Sequence, residues 1–322
     1  MTFFEVILRL VLAFSVVLGF VMMNALFLVW LERKVSAGFQ QRLGPMEVGP
    51  WGLLQTFADA LKLMGKELIT PTMVNKSVFL IAPVIAFLPA PLLIAAIPMA
   101  EGVSVSDLNV GAIYVLAISN ITLIGIFMAG WSSNNKYSLL GAMRAVAQNI
   151  SYEIPMLLSL MCVVLLAGSM KFSDIVAAQH TLPFLVLQPI AFLTYFICSV
   201  AESNRTPFDI PEAESELVAG YHTEFTGMRF ALFFLGEYTQ VFVLSAIVTL
   251  LFLGGWNGPF LPGWVWFFLK TYLVIFVVMW LRWTYPRLRS DQLMNFNWKF
   301  LLPIAIVNLL LTTVIFGGGI TG

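Results

Sequence analysis

Charged residues are scarce in this sequence. They make up 11% of the 322 residues while 60% are hydrophobic, against roughly 25% and about 45–50% in soluble domains. A soluble chain this apolar could not cover its core with polar surface, so the lipid bilayer is the solvent the composition fits. Cysteine occurs twice and histidine twice. Cys162 and Cys198 lie in separate apolar runs and read as packing residues. No CxxC pair exists and His180 and His222 are far apart, which excludes the usual spacings for an iron–sulfur cluster or zinc site held by this chain. A formal net charge of zero excludes the basic stripe that nucleic-acid binding requires. No nucleophile–base pair is recognisable.

What the sequence has instead is apolar length. A hydrocarbon core of about 30 Å needs roughly 20 apolar residues per helix, and eight such runs occur at about 6–31, 77–98, 110–131, 144–168, 183–201, 228–254, 262–283 and 299–317. The first is too long for a signal peptide's core and lacks a basic stretch before it, so it reads as a helix retained in the protein. The second carries Pro83, Pro89, Pro91 and Pro98, which predicts a kink or local unwinding supported by neighbouring helices. The expected fold is an all-α integral membrane protein of about eight transmembrane helices, a single transmembrane domain over 1–322. Its inner loops fall at about 32–76, 132–143, 202–227 and 284–298.

Fourteen of the 17 lysines and arginines flank those four loops. The positive-inside rule then places the loops in the cytoplasm or matrix and both termini on the outer side. Arg9, Lys171 and Lys270 are the exceptions, and Lys270 is compatible with either an intramembrane charge or a side chain that snorkels out. Within the first loop, Gln55, Asp59, Lys62 and Lys66 recur at helical spacing, and Leu54, Phe57, Leu61 and Met64 do so on another face. That pattern predicts an amphipathic helix on the membrane or bundle surface, with anchoring as its simplest role.

Carboxylates carry most of the remaining information. Glu202, Asp209, Glu212, Glu214, Glu216, Glu224 and Glu237 are seven of the 17 acidic residues and fall within 36 positions. Like charges at that density repel, which favours proton uptake at some of them; a solvated acidic loop is the alternative. Glu153 and Glu237 fall well inside predicted spans, Glu153 sharing a face with Asn149 at i−4 and Glu237 followed by Gln240. A charge at mid-membrane costs about 2.5–3.5 kcal/mol on insertion scales, so such residues face a bundle interior and mark proton or ion paths, or else tie helices together. From these residues alone, a transporter, a channel and a subunit of a redox pump all remain open.

The loops also resemble something specific. Glu32-Arg33-Lys34, Gln40, Arg42, Gly44-Pro45, Gly49, Gly52-Leu53-Leu54-Gln55, Ala58-Asp59 and Lys62 resemble the first inner loop of one family. That family is the H subunit (mitochondrial subunit 1) of respiratory complex I, the proton-pumping NADH:quinone oxidoreductase. Ala129-Gly130-Trp131 through Tyr137, Ala201-Glu202 through Asp209 with Pro211 through Leu217, and Pro286-Arg287 through Met294 resemble its other three. The resemblance covers nearly the whole chain. It implies quinone as substrate, iron–sulfur clusters and flavin on partner subunits only, and a task of coupling without carrying electrons. It implies a quinone chamber lined by Arg33, Gln40, Arg42, Asp59, Lys62, Arg205 and Asp209, and an acidic proton route of Glu153, Glu202, Glu212, Glu214, Glu216, Glu224 and Glu237. Peripheral redox subunits would dock on the inner loops, with antiporter-like and small membrane subunits in the bilayer. The location implied is an energy-transducing membrane, bacterial or organellar. A membrane anchor of an energy-converting hydrogenase or formate-oxidising complex would need no quinone chamber. A free-standing cation/proton transporter would explain the buried glutamates but not the long inner loops.

Overall fold

The computed structural model describes residues 3–211 and 214–316, so Glu212 lies outside the described residues, as does the side chain of Glu214. In chain order the helices are α1 (Phe3–Phe39), α2 (Gln55–Gly65), α3 (Lys76–Phe87), α4 (Pro89–Ala96), α5 (Gly111–Ser132), α6 (Lys136–Ala167) and α7 (Phe172–Ala178). They continue as α8 (Phe184–Leu187), α9 (Pro189–Glu202), α10 (Glu214–Leu217), α11 (Met228–Phe252), α12 (Gly263–Thr284), α13 (Ser290–Phe296) and α14 (Leu302–Phe316).

Seven stretches among the described residues are long and apolar enough to cross a membrane, with mean hydropathies from 1.7 to 2.5. They are α1 from Val11, α3 with α4, α5, α6, α11, α12, and α13 with α14. An eighth apolar helix is shorter. α9 has 14 residues, or about 21 Å at 1.5 Å each, and gains length from α8, with Gln188 at the break between them (φ −133°, ψ 59°). Pro189 tolerates that break because the first position of a helix needs no N–H partner. The all-α membrane architecture read from the sequence is therefore the one observed, and the second span is divided at Leu88 into α3 and α4, just ahead of Pro89 and Pro91.

The loop boundaries differ. α1 runs on to Phe39, α6 begins at Lys136 and not near 144, and the last span begins at Ser290 and not near 299. Polar residues at these inner ends broke the apolar runs without breaking the helices. Between α13 and α14 the last span widens into a π-helical turn, Asn297–Leu301.

The spans pack through small residues, as membrane helices do where backbones approach closely. A Cβ on Gly125 of α5 would sit 2.4 Å from the backbone nitrogen of Ala86 in α3. One on Gly141 of α6 would sit 2.9 Å from the Cα of Gly220 in the third inner loop. These contacts press that loop into the inner end of the bundle.

Candidate functional site

The third inner loop enters the bundle rather than lying over it. Ser203, Asn204, Arg205 and Asp209 are all buried, held at the end of α9 by Gln148 of α6, whose Nε2 donates to the carbonyls of Ala201 (2.7 Å) and Phe208 (2.8 Å). The turn puts the Arg205 guanidinium among α1, α11 and α12. Its Nη1 is 3.3 Å from Glu32 and its Nη2 is 3.1 Å from Glu237 Oε1. Arg282 of α12 also pairs with Glu32, and the Arg205 guanidinium stacks 4.5 Å from the Tyr238 ring centroid. Two arginines and two carboxylates thus neutralise one another where side-chain exposure is only 6% for Arg205, 11% for Glu32 and 12% for Glu237. Charges this deep are tolerated only when paired.

Asp209 sits at the mouth of this cluster, with Arg287 Nη2 donating to Oδ2 at 2.7 Å. Its Oδ1 has no hydrogen-bond partner among the described residues. Burial raises the Asp209 carboxyl above its ordinary range despite the opposing pull of Arg287, Arg282 and Arg205.

From Glu237 the polar interior continues toward α5 and α6. A cavity of about 20 Å³ is lined by Glu237, Gln240, Asn204, Thr122 and Ser203 among others. A second, also about 20 Å³, shares Thr122, Asn204 and Gln240 with it and adds Glu202, Glu153, Asn149 and Asn120. Roughly 10–15 Å³ accommodates one water molecule, so each has room for a bridging water among several polar partners. Gln240 Nε2 donates to Glu202 Oε1 at 3.2 Å, and Asn120 Nδ2 donates to Glu153 Oε1 at 2.6 Å. Glu32–Arg205–Glu237, then Glu202, then Glu153 form one broken line of acids through the bundle.

The predicted site residues divide into three groups. Arg205, Asp209, Glu237, Glu202 and Glu153 share this interior. Arg33 and Asp59 meet outside it, Nη1 to Oδ2 at 2.6 Å, with side chains 45% and 37% exposed; Gln55 also donates to Asp59. Gln40, Arg42 and Lys62 are exposed on the first loop and α2. Glu216 and Glu224 do not join the line of acids: Glu216 pairs with Arg144 at 2.5 Å, and Glu224 accepts from Asn135 at 2.7 Å. The described acids of the segment are thus dispersed among separate partners, which offset the mutual repulsion expected from their sequence density.

Sequence reasoning missed four contributors. Glu32 reads as the end of a span, Arg282 as a flanking charge and Tyr238 as one more aromatic residue within an apolar run. Asn120 was the legible one, an amide in the middle of an apolar run. Gln240, expected beside Glu237, bonds Glu202 instead. Lys270 is also settled: its ammonium donates to the carbonyls of Leu253, Gly255 and Asn257 at 2.7, 3.0 and 2.7 Å, capping the end of α11. Among the described residues no group of three His, Cys, Asp or Glu could hold a metal ion.

Comparison with known proteins gives a consistent result. The family model described as NADH dehydrogenase matches residues 12–313. The H subunit of the NADH-quinone oxidoreductase of Dehalococcoides mccartyi (strain CBDB1) is 55% identical over 297 residues, 92% of this chain and 84% of that protein. The H subunit from Carboxydothermus hydrogenoformans is 52% identical over 94% of this chain and 88% of its own length, and that from Bacillus mycoides 53% over 95% and 92%.

Proposed function

This chain belongs to the NADH dehydrogenase family, as a relative of its H subunits, and on that premise we propose that it walls the quinone chamber of a proton-pumping NADH:quinone oxidoreductase. Quinone reduction at the inner face consumes protons, and the chain's part is to bind the quinone and pass that demand to buried carboxylates. The observation that carries this reading is the buried Glu32–Arg205–Glu237–Arg282 cluster, followed toward Glu202 and Glu153 by two small polar cavities that share lining residues. A cluster with nearly balanced charge is poised to respond. A change in charge nearby alters which acid best shares the two guanidiniums, and so which one takes a proton.

Arg33, Asp59 and Lys62 form the outer, hydrated part of the same chamber wall, with Gln40 and Arg42 on the loop beside it. The inner loops and α2 offer the docking surface for peripheral redox subunits that hold flavin and iron–sulfur clusters. Antiporter-like membrane subunits would flank the bundle in the bilayer.

The test uses the exposed pair. An ion pair as open as Arg33–Asp59 contributes only about 0–1 kcal/mol to stability, so Asp59→Asn should leave assembly intact. It should lower NADH:quinone reductase activity by about tenfold or more. NADH oxidation by a hydrophilic artificial acceptor, which draws electrons upstream, should be unchanged. Equal loss of both activities at normal assembly would defeat the quinone-side role. Arg205→Ala is the weaker probe, because removing one member of a buried ionic cluster costs about 3–5 kcal/mol and threatens assembly itself.

A further inference from the structure

The turn of α6 that carries Glu153 is opened by Pro155. Proline has no N–H, so the carbonyl of Ser151, four residues back, loses its helical donor. Asn297, fully buried in the last span, supplies one: its Nδ2 donates to Ser151 O at 2.5 Å. Beside it the Tyr152 hydroxyl, also buried, donates to the carbonyl of Leu293 at 3.2 Å.

Asn297 opens the π-helical Asn297–Leu301 turn of the last span, and Leu293 lies four residues before it in α13. Such an insertion is less stable than regular helix and recurs at functional places. The opposite end of the Asn297 amide is left incomplete, since its Oδ1 has no hydrogen-bond partner among the described residues.

The two ties fix consecutive residues, 151 and 152, against the last span. The next residue is Glu153, rotated about 100° further around α6. That rotation takes its carboxylate away from the last span and toward α5, where Asn120 donates to it at 2.6 Å. Asn149, one turn earlier on the same face, lines the same cavity as Glu153 and Glu202.

We propose that Asn297 is a positioning residue for Glu153: by bonding the carbonyl that Pro155 leaves without a helical donor, it fixes the turn of α6 that aims the Glu153 carboxylate at Asn120 and into the cavity shared with Glu202. The proposal rests on the reading of Glu153 as part of the proton route.

The experiment uses the assembled complex in its membrane. The oxidised-minus-reduced infrared band of the Glu153 carboxyl is assigned as the band lost in Glu153→Gln. In Asn297→Leu that band should shift, and coupled quinone reduction should fall by about tenfold while artificial-acceptor activity is kept. Asn297→Ser, which leaves a smaller defect, should do the same in milder form if the leucine variant does not assemble. Pro155→Ala restores an N–H for Ser151 O. The Pro155→Ala/Asn297→Leu double variant should therefore regain heat resistance over Asn297→Leu alone, yet keep the displaced band, because a straightened α6 no longer aims Glu153. An unmoved band and rate in both Asn297 variants would overturn the positioning role, as would a double variant no more heat-resistant than Asn297→Leu. The absence of any Glu153 band from the parent complex would defeat the proton route itself, so the two failures are distinguishable.

Discussion

At the scale of single residues, the third inner loop sets the chemistry by what it buries. His222 shows this outside the spans. It is packed between the rings of Tyr221 and Phe230, 5.0 and 5.2 Å away, and burial lowers its imidazole from 6.5 to about 4. A base with a depressed folded value binds fewer protons folded than unfolded, so its contribution is fully present above pH 6.5. It is lost as pH falls toward about 4, where the full shift amounts to roughly 3 kcal/mol. His222→Gln should therefore flatten the loss of heat resistance of the complex between pH 6.5 and 4. Heat-inactivation temperatures with the same slope in variant and parent would refute this role. The sequence singled out Glu153 and Glu237 by their depth inside apolar runs and Glu202 by its place in the acidic segment, while Arg205 was marked only by the family resemblance. Glu32 and Arg282 were not legible. Each sits at the inner end of a span, where a charge is ordinary, and only the packing of α1 against α11 and α12 turns them inward.

At the scale of elements, periodicity gave the spans but not their interruptions. Runs of apolar residues persist through a break, so the fifth span read as continuous although Gln188 divides α8 from α9. The break is held by side chains from the last span. Gln188 Nε2 donates to Thr312 Oγ1 at 3.0 Å, and Asn308 Nδ2 donates to Gln188 Oε1 at 3.2 Å. Interhelical hydrogen bonds within a bilayer contribute about 0.6–2 kcal/mol each. Gln188→Leu, which keeps the volume and removes both bonds, should lower the heat-inactivation temperature of the complex with little effect on its initial rate. An unchanged temperature would mean that apolar packing alone supports the break. The π-helical turn was equally invisible, since Asn297-Trp298-Lys299-Phe300-Leu301 straddles the predicted start of the last apolar run and nothing in it marks a widened turn. The amphipathic pattern of the first loop is observed as α2, and of the two expected surfaces its apolar face takes the one away from the bundle. Asp59 turns toward Arg33 of α1, while Phe57, Leu61 and Met64 are 53–64% exposed. Its apolar side therefore points away from the bundle, as suits a helix lying at the membrane interface or under a partner.

At the scale of the whole molecule, the architecture follows from a bilayer's demand that backbone groups be satisfied within each span, and composition alone was enough to require it. The interior route was not readable as a path, because continuity is a property of packing. Thr122, Asn204 and Gln240 line both cavities, yet come from three separate elements, and of the three the sequence marked only Gln240. If that route conducts protons, Glu153 and Glu237 must titrate during turnover and not merely tie helices together. Glutamine preserves their volume and hydrogen bonding but cannot titrate. The decisive measurement is proton pumping by the complete oxidoreductase in sealed vesicles, with Glu153→Gln and Glu237→Gln each compared with the parent at equal subunit content. A titrating route predicts normal assembly, retained artificial-acceptor activity, and loss of coupled turnover and pumping in both variants. Both variants pumping at the parent's rate and proton-to-electron ratio would contradict it.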